Sequence, residues 1–210
     1  MREERSRLRE ERQVVALIAS AGGLEAVSTV LEGLPEDLDA AVVALIHQVP
    51  DRENPLVRLL QRRSRLPVVA AQDDAPLAAG TVVVAPPGKH TLVTSGPRIA
   101  LIVSGVSPPS RPSADLLLAT LATACGPLAT AVVLSGSGHD GATGATAIHR
   151  LGGTVIASSE ATSEHFAMPQ ATIEREHFVD HIVELNDSRC TAHSHQRAER
   201  SNTRGRLTAG

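Results

Sequence analysis

Unbroken apolar runs alternate along this chain with stretches of helical spacing. Residues 14–19 are apolar at every position, the pattern of a parallel strand buried on both faces. Ser20-Ala21-Gly22-Gly23 interrupts the run, and Leu24, Val27, Leu31 and Leu34 then recur at the spacing of an amphipathic helix. Residues 41–46 form a second continuous run, which ends on His47-Gln48-Val49-Pro50. A loop containing Pro50, Asp51, Asn54 and Pro55 leads to a short helix expected over 56–65. Strand–helix–strand with these lengths predicts a βαβ unit, whose right-handed crossover lays the two strands parallel. Both strand ends then face one way, so Ser20 and His47 are expected at one edge of the sheet.

The pattern changes after this unit. Residues 67–70, 80–85, 90–94 and 98–103 are short strand-like runs separated by Pro/Gly turns. Ser95-Gly96-Pro97 has the composition of a hairpin turn, and the whole stretch predicts an antiparallel addition. Residues 107–113 read as a rigid polar loop in which Ser110 or Ser113 caps a helix over 114–124, with Asp115 in its first turn. Residues 129–134 are a third buried run, followed by Ser135-Gly136-Ser137-Gly138-His139-Asp140-Gly141. A small-residue helix over 142–151 should stop at Gly152-Gly153. A short strand over 154–157, an irregular polar loop over 160–168, a helix started by Pro169 near 171–175 and an edge strand over 181–185 complete the reading.

Composition narrows what such a chain does. Apolar residues make up 42%, with no Trp or Tyr and two Phe, Phe166 and Phe178. A core filled by branched aliphatics suits a buried parallel sheet. Twenty-three acidic groups nearly balance 20 basic ones, of which only Lys89 is a lysine. No strong overall field favours nucleic acid or an anionic membrane, and without aromatics there is no base-stacking platform. Cys125 and Cys190 are isolated thiols, which argues against a disulfide scaffold and fits a reducing compartment. Neither a signal peptide nor an apolar run of spanning length is present, so a soluble cytoplasmic protein is expected. Residues 1–13 alternate Arg and Glu and read as a charged extension; residues 14–186 read as one domain. Residues 187–210, polar and without periodicity, read as a disordered tail or frayed helix.

Three buried strands thus lead to three polar groups, Ser20, His47 and Asp140. In an open parallel sheet, ligands bind outside the carboxyl ends of the strands. A hydroxyl, an imidazole and a carboxylate meeting there are the parts of an acyl-transfer triad: Ser20 attacks, His47 carries its proton, Asp140 orients the imidazole. Backbone N–H groups after Ser20, at Ala21, and in the glycine loop at Ser137 and Gly138 are the candidate oxyanion donors. Each residue also has a plainer reading, Ser20 as a helix N-cap, His47 as a strand-end histidine, Asp140 as a helix cap. The loop from Gly136 to Gly141 is also a literal GxGxxG, with Glu160 beyond it, so a dinucleotide site is a rival. Asp140 counts against that rival, because it puts negative charge where a pyrophosphate must sit. His177 with His181, and Cys190 with His193 and His195, lack the frame of a metal site.

Several motifs in one order point further: Ala19-Ser20-Ala21-Gly22-Gly23, Ile46-His47-Gln48-Val49-Pro50, Val84-Ala85-Pro86-Pro87-Gly88-Lys89-His90, Arg111-Pro112-Ser113-Ala114-Asp115, Leu134 through Gly141, and Phe166-Ala167-Met168-Pro169. From about Val14 to Leu185 the chain resembles the catalytic domain of the bacterial chemotaxis protein-glutamate methylesterase (CheB) family. The resemblance implies an α/β fold, a doubly wound, mostly parallel sheet with an antiparallel β-hairpin in three α/β/α layers. It implies hydrolysis of glutamate γ-methyl esters on methyl-accepting chemotaxis receptors, with deamidation of receptor glutamines alongside, and no cofactor. It puts nucleophile, base and orienting acid on Ser20, His47 and Asp140, and substrate contacts on Arg111 and Met168. The family usually has Gly where Ile18 stands, Thr where Ala21 stands and Met where Ser137 stands, differences that bear on rate and substrate fit. Members carry a receiver domain before the esterase; here the expectation is a stand-alone esterase governed by a response-regulator domain in trans, or an excised domain. The alternatives are a catalytically weak or inactive binding module of the same fold, and an esterase for a non-chemotaxis substrate.

Overall fold

The first apolar run becomes the middle of a seven-stranded sheet. The computed structural model describes residues 13–48, 55–103, 112–175 and 178–186. Its strands are β1 (Gln13–Ala19), β2 (Ala40–Ile46), β3 (Val68–Ala70), β4 (Val82–Val84), β5 (His90–Thr94), β6 (Arg98–Ile102), β7 (Ala129–Val133), β8 (Thr154–Ser158) and β9 (His181–Val183). The helices are α1 (Gly23–Gly33), α2 (Leu56–Gln61), α3 (Ala114–Cys125), α4 (Ala142–Arg150) and α5 (Ala167–Glu174), with short 3₁₀ turns at Gly126–Leu128 and Glu160–Thr162. The sheet order is β3-β4-β2-β1-β7-β8-β9, and every pair in it is parallel.

β1, β2 and β7 are buried at every position, and successive side chains point to opposite faces. Val14, Ala16 and Ile18 join one core with Leu117, Leu118 and Leu121 of α3 and Ile148 of α4. Val15, Leu17 and Ala19 join a second core with Val27, Val30 and Leu31 of α1 and Leu60 of α2. Helices therefore cover both faces, as a parallel sheet requires. The order turns around at β1: the chain builds outward through β2 on one side, then starts again at β7 on the other. Such a switch leaves a crevice above the carboxyl ends of the central strands, where open α/β sheets bind ligands.

The expected antiparallel addition is smaller than the sequence suggests. β3 and β4 are parallel members of the main sheet, and among the strands named above only β5 and β6 pair antiparallel, joined through Ser95-Gly96-Pro97 with Gly96 at φ +73°. This hairpin lies outside the main sheet against α3, where Val93 N donates to Thr120 Oγ1 at 3.1 Å. α5 starts at Ala167, two residues before Pro169. Proline is tolerated there because first-turn N–H groups have no intrahelical acceptor. β9 is the parallel edge strand beside β8. Residues 1–12, the 49–54 loop, the 104–111 part of the polar loop, His177 and the tail from 187 lie outside the described residues.

Candidate active site

Register alone brings two of the three polar groups together. Ala19 pairs with Ile46 at the ends of β1 and β2, and His47 N donates to the Ala19 carbonyl at 3.0 Å. Ser20 and His47 are thus the next residues on neighbouring strands about 4.8 Å apart. On the other side, Ser20 N donates to the Ser135 carbonyl at 3.0 Å, just past β7. From Ser135 the glycine loop returns to the crevice and delivers Asp140. His47 Nε2 and Asp140 Oδ2 are 2.9 Å apart, with 16% and 17% of the two side chains exposed. Because Nε2 faces the carboxylate, Nδ1 is the imidazole nitrogen left for a partner on Ser20.

Asp140 is held by more than the imidazole. Its carboxylate sits on the start of α3, accepting from Ala114 N at 2.8 Å and Asp115 N at 3.0 Å, and from the Ser113 hydroxyl at 3.3 Å. Burial pushes this carboxyl up; the hydrogen bonds from His47, Ala114 N and Asp115 N outweigh it and hold it below the ordinary aspartate range. Unpaired N–H groups at a helix start favour an anion there. The same Ser113 hydroxyl caps α3 by accepting from Leu116 N, and Ser113 N donates to Nδ1 of the buried His90 at 3.2 Å.

The turn after Ser20 is fixed by contacts that sequence reasoning did not assign. Gly22 has φ +71°, a conformation glycine adopts without strain, and Gly23 N returns to the Ser20 carbonyl at 2.9 Å. The buried Ser135 hydroxyl donates to the Ala21 carbonyl and accepts from His165 N, both at 2.9 Å. That hydroxyl ties the Ser20 turn to the loop before α5. Gly136 is squeezed between them, since a methyl there would lie 2.1 Å from Met168 Sδ and 3.0 Å from Ser20 Cβ. Only the glycines between Ser135 and Asp140 hinted at such closeness.

The other expected site residues fall differently. Ala21 immediately follows Ser20, and its N–H has no hydrogen-bond partner among the described residues. Ser137 and Gly138 are exposed just beyond Gly136, with Gly138 at φ +91°. Met168, expected to touch substrate, is 1% exposed. It packs under Gly136, and its N–H donates to the Gly136 carbonyl at 3.0 Å, so it supports the floor of the crevice. Arg111 lies outside the described residues. Ile18 is fully buried on the α3 face of the sheet and does not reach the crevice. The rival dinucleotide reading loses its anchor: Gly141 N and Gly144 N, where a pyrophosphate would dock on α4, already donate to Asp115 Oδ1 at 2.9 and 2.7 Å. Among the described residues no group of three or more His, Cys, Asp or Glu is placed to hold a metal ion.

Comparison with known proteins gives a consistent pattern. The profile of the CheB methylesterase family matches residues 15–189. A protein-glutamate methylesterase/protein-glutamine glutaminase of Moorella thermoacetica is 36% identical over 179 residues, covering 83% of this chain and 42% of its own length. Protein-glutamate methylesterase FrzG of Myxococcus xanthus is 36% identical over 160 residues, covering 76% of this chain and 48% of its own. The chain therefore spans just under half the length of these curated relatives. The crystal structure of the Thermotoga maritima CheB methylesterase catalytic domain superposes with a TM-score of 0.79 at 30% identity, covering 83% of this chain and 94% of that one.

Proposed function

From the premise that the chain belongs to the CheB methylesterase family, we propose that it is a serine-type protein-glutamate methylesterase. Its substrates are the glutamate γ-methyl esters of methyl-accepting chemotaxis receptors. The observation that carries the reading is the 2.9 Å contact between His47 and Asp140 beside the turn bearing Ser20. The names of the relatives support a protein-glutamate methyl ester as substrate, and the family resemblance supplies the chemotaxis receptors. In this reading Ser20 Oγ attacks the ester carbonyl carbon while His47 Nδ1 takes the hydroxyl proton. Asp140 holds the Nε2 proton and stabilises the imidazolium. The Ala21 N–H and the loop at Ser137 and Gly138 donate to the developing oxyanion. His47 then returns its proton to the methoxide oxygen, methanol leaves, and water hydrolyses the acyl-serine by the same path. An amide enters the same cycle, so a receptor glutamine releases ammonia. The imidazole is reversed relative to the chymotrypsin arrangement, in which Nδ1 faces the acid.

Cytoplasmic work on the receptors' cytoplasmic helices belongs to this reading, and no helix among the described residues is long and apolar enough to cross a membrane. The test is methanol release from radiomethylated receptor, with ammonia release from unmethylated receptor as a second arm. Wild type should release methanol, and Ser20→Ala should lose roughly 10³-fold or more in rate. Equal rates for the two proteins would overturn the mechanism.

A further inference from the structure

Asp140 is one half of a reciprocal exchange between two helices. Its carboxylate receives Ala114 N and Asp115 N at the start of α3. The carboxylate of Asp115 receives Gly141 N and Gly144 N at the start of α4, at 2.9 and 2.7 Å. Each helix start is therefore capped by a side chain carried at the other, and Gly141 is the residue covalently next to Asp140. The helices are also pressed together: a methyl on Gly144 would lie 2.6 Å from Leu118 Cβ and 2.9 Å from the Asp115 carbonyl oxygen. The loop that delivers Asp140 contains Gly136, Gly138 and Gly141, the last two at φ +91° and +106°. Glycines at such positions give the backbone freedom, so its aim must come from outside the loop.

We infer that Asp115 is a positioning residue for the reaction, fixing the backbone that carries Asp140 and so aiming Oδ2 at His47 Nε2. The inference rests on Ser20, His47 and Asp140 being the reacting set; the Asp115 carboxylate bonds to Gly141 N and Gly144 N rather than to any of their side chains. Both Asp140 oxygens are bonded to the first turn of α3. The spacing between that turn and residue 141 therefore decides where the carboxylate points. Asp115 is the side chain that spans this spacing. Losing it removes two hydrogen bonds to a charged acceptor and lets the glycine loop drift. A misplacement on the order of 1 Å is worth ~10²-fold in rate.

Two measurements on the full chain test this. The first is the proton spectrum. A His47 Nε2–H bonded to a carboxylate should give a resonance far downfield of the amides, identified by its loss in His47→Gln. It should persist in Asp115→Asn, whose amide oxygen still accepts both N–H groups, and vanish or move in a folded Asp115→Ala. An unmoved resonance in Asp115→Ala overturns the inference. If Asp115→Ala fails to fold, Asp115→Ser takes its place, its one oxygen too short to reach both groups, under the same criterion. The second is ester hydrolysis normalised to the fluorophosphonate-titrated serine. Here kcat should fall by about 10²-fold in Asp115→Ala with KM little changed, and recover in Asp115→Asn; a kcat equal to wild type overturns it. A wild type that neither labels nor hydrolyses would sink the proposed function, while the proton spectrum would still decide the role of Asp115.

Discussion

At the scale of single residues, Asp140 brings together the most competing physics. Burial alone would favour its neutral acid, yet one imidazole and two backbone N–H groups hold it ionised. The sign of the resulting pH dependence follows from linkage. A carboxyl depressed on folding contributes stability above its unfolded value, here about the ordinary 3.8, and loses that contribution as pH falls through 3.8 toward the folded value. Denaturant titrations of wild type and Asp140→Asn should therefore show a stability gap at neutral pH that narrows on acidification. A gap that stays constant down to that range would contradict the account. The same substitution should lower the hydrolysis rate by about 10⁴-fold, because the amide no longer holds the imidazole in the working tautomer.

Residues also show where sequence reasoning reaches and where it stops. The placement of Ser20 and His47 at neighbouring strand ends was legible because each directly ends an unbroken apolar run, and a run buried on both faces has one structural meaning. Met168 was not: a methionine beside a proline looks the same whether it lines a crevice or lies beneath Gly136. The Ser135 hydroxyl and the Asp115 carboxylate were equally hidden. Their partners are 30 and 114 residues away for Ser135, and 26 and 29 away for Asp115. No local pattern encodes such a meeting.

At the scale of elements, strand existence was legible and strand direction only partly so. The short runs over 67–70 and 80–85 carry too few residues to show which way they pair, so their membership in the parallel sheet came only with the fold. The hairpin was legible because Ser95-Gly96-Pro97 has turn chemistry of its own. α3 supplies a test of element packing. Cys125, in its last turn, is mostly sequestered, and burial pushes its thiol up to about 11. Only the thiolate reacts quickly. In a Cys190→Ser background, Cys125 should alkylate very slowly at neutral pH in the native protein and rapidly once denatured. Fast native labelling would mean that the end of α3 is not packed as described.

At the scale of the whole molecule, the site is a consequence of sheet order. β1 lies between β2 and β7, so residues at positions 20, 47 and 140, far apart in the chain, converge where the winding reverses. The segments hold one another through hydrogen bonds: His47 N to Ala19 O and Ser20 N to Ser135 O between main chains, and Ala114 N to the side-chain carboxylate of Asp140. The arrangement is therefore fixed by the fold itself, which is what the proposed electrostatic catalysis requires. The central claim is that this convergence makes one hydroxyl nucleophilic, and covalent trapping reads it most directly. With a serine-directed fluorophosphonate and peptide mapping by mass spectrometry, the adduct should form on Ser20 in wild type and be strongly slowed in folded His47→Gln. An adduct absent from Ser20 in folded wild type, or formed at the same rate without the imidazole, would contradict it.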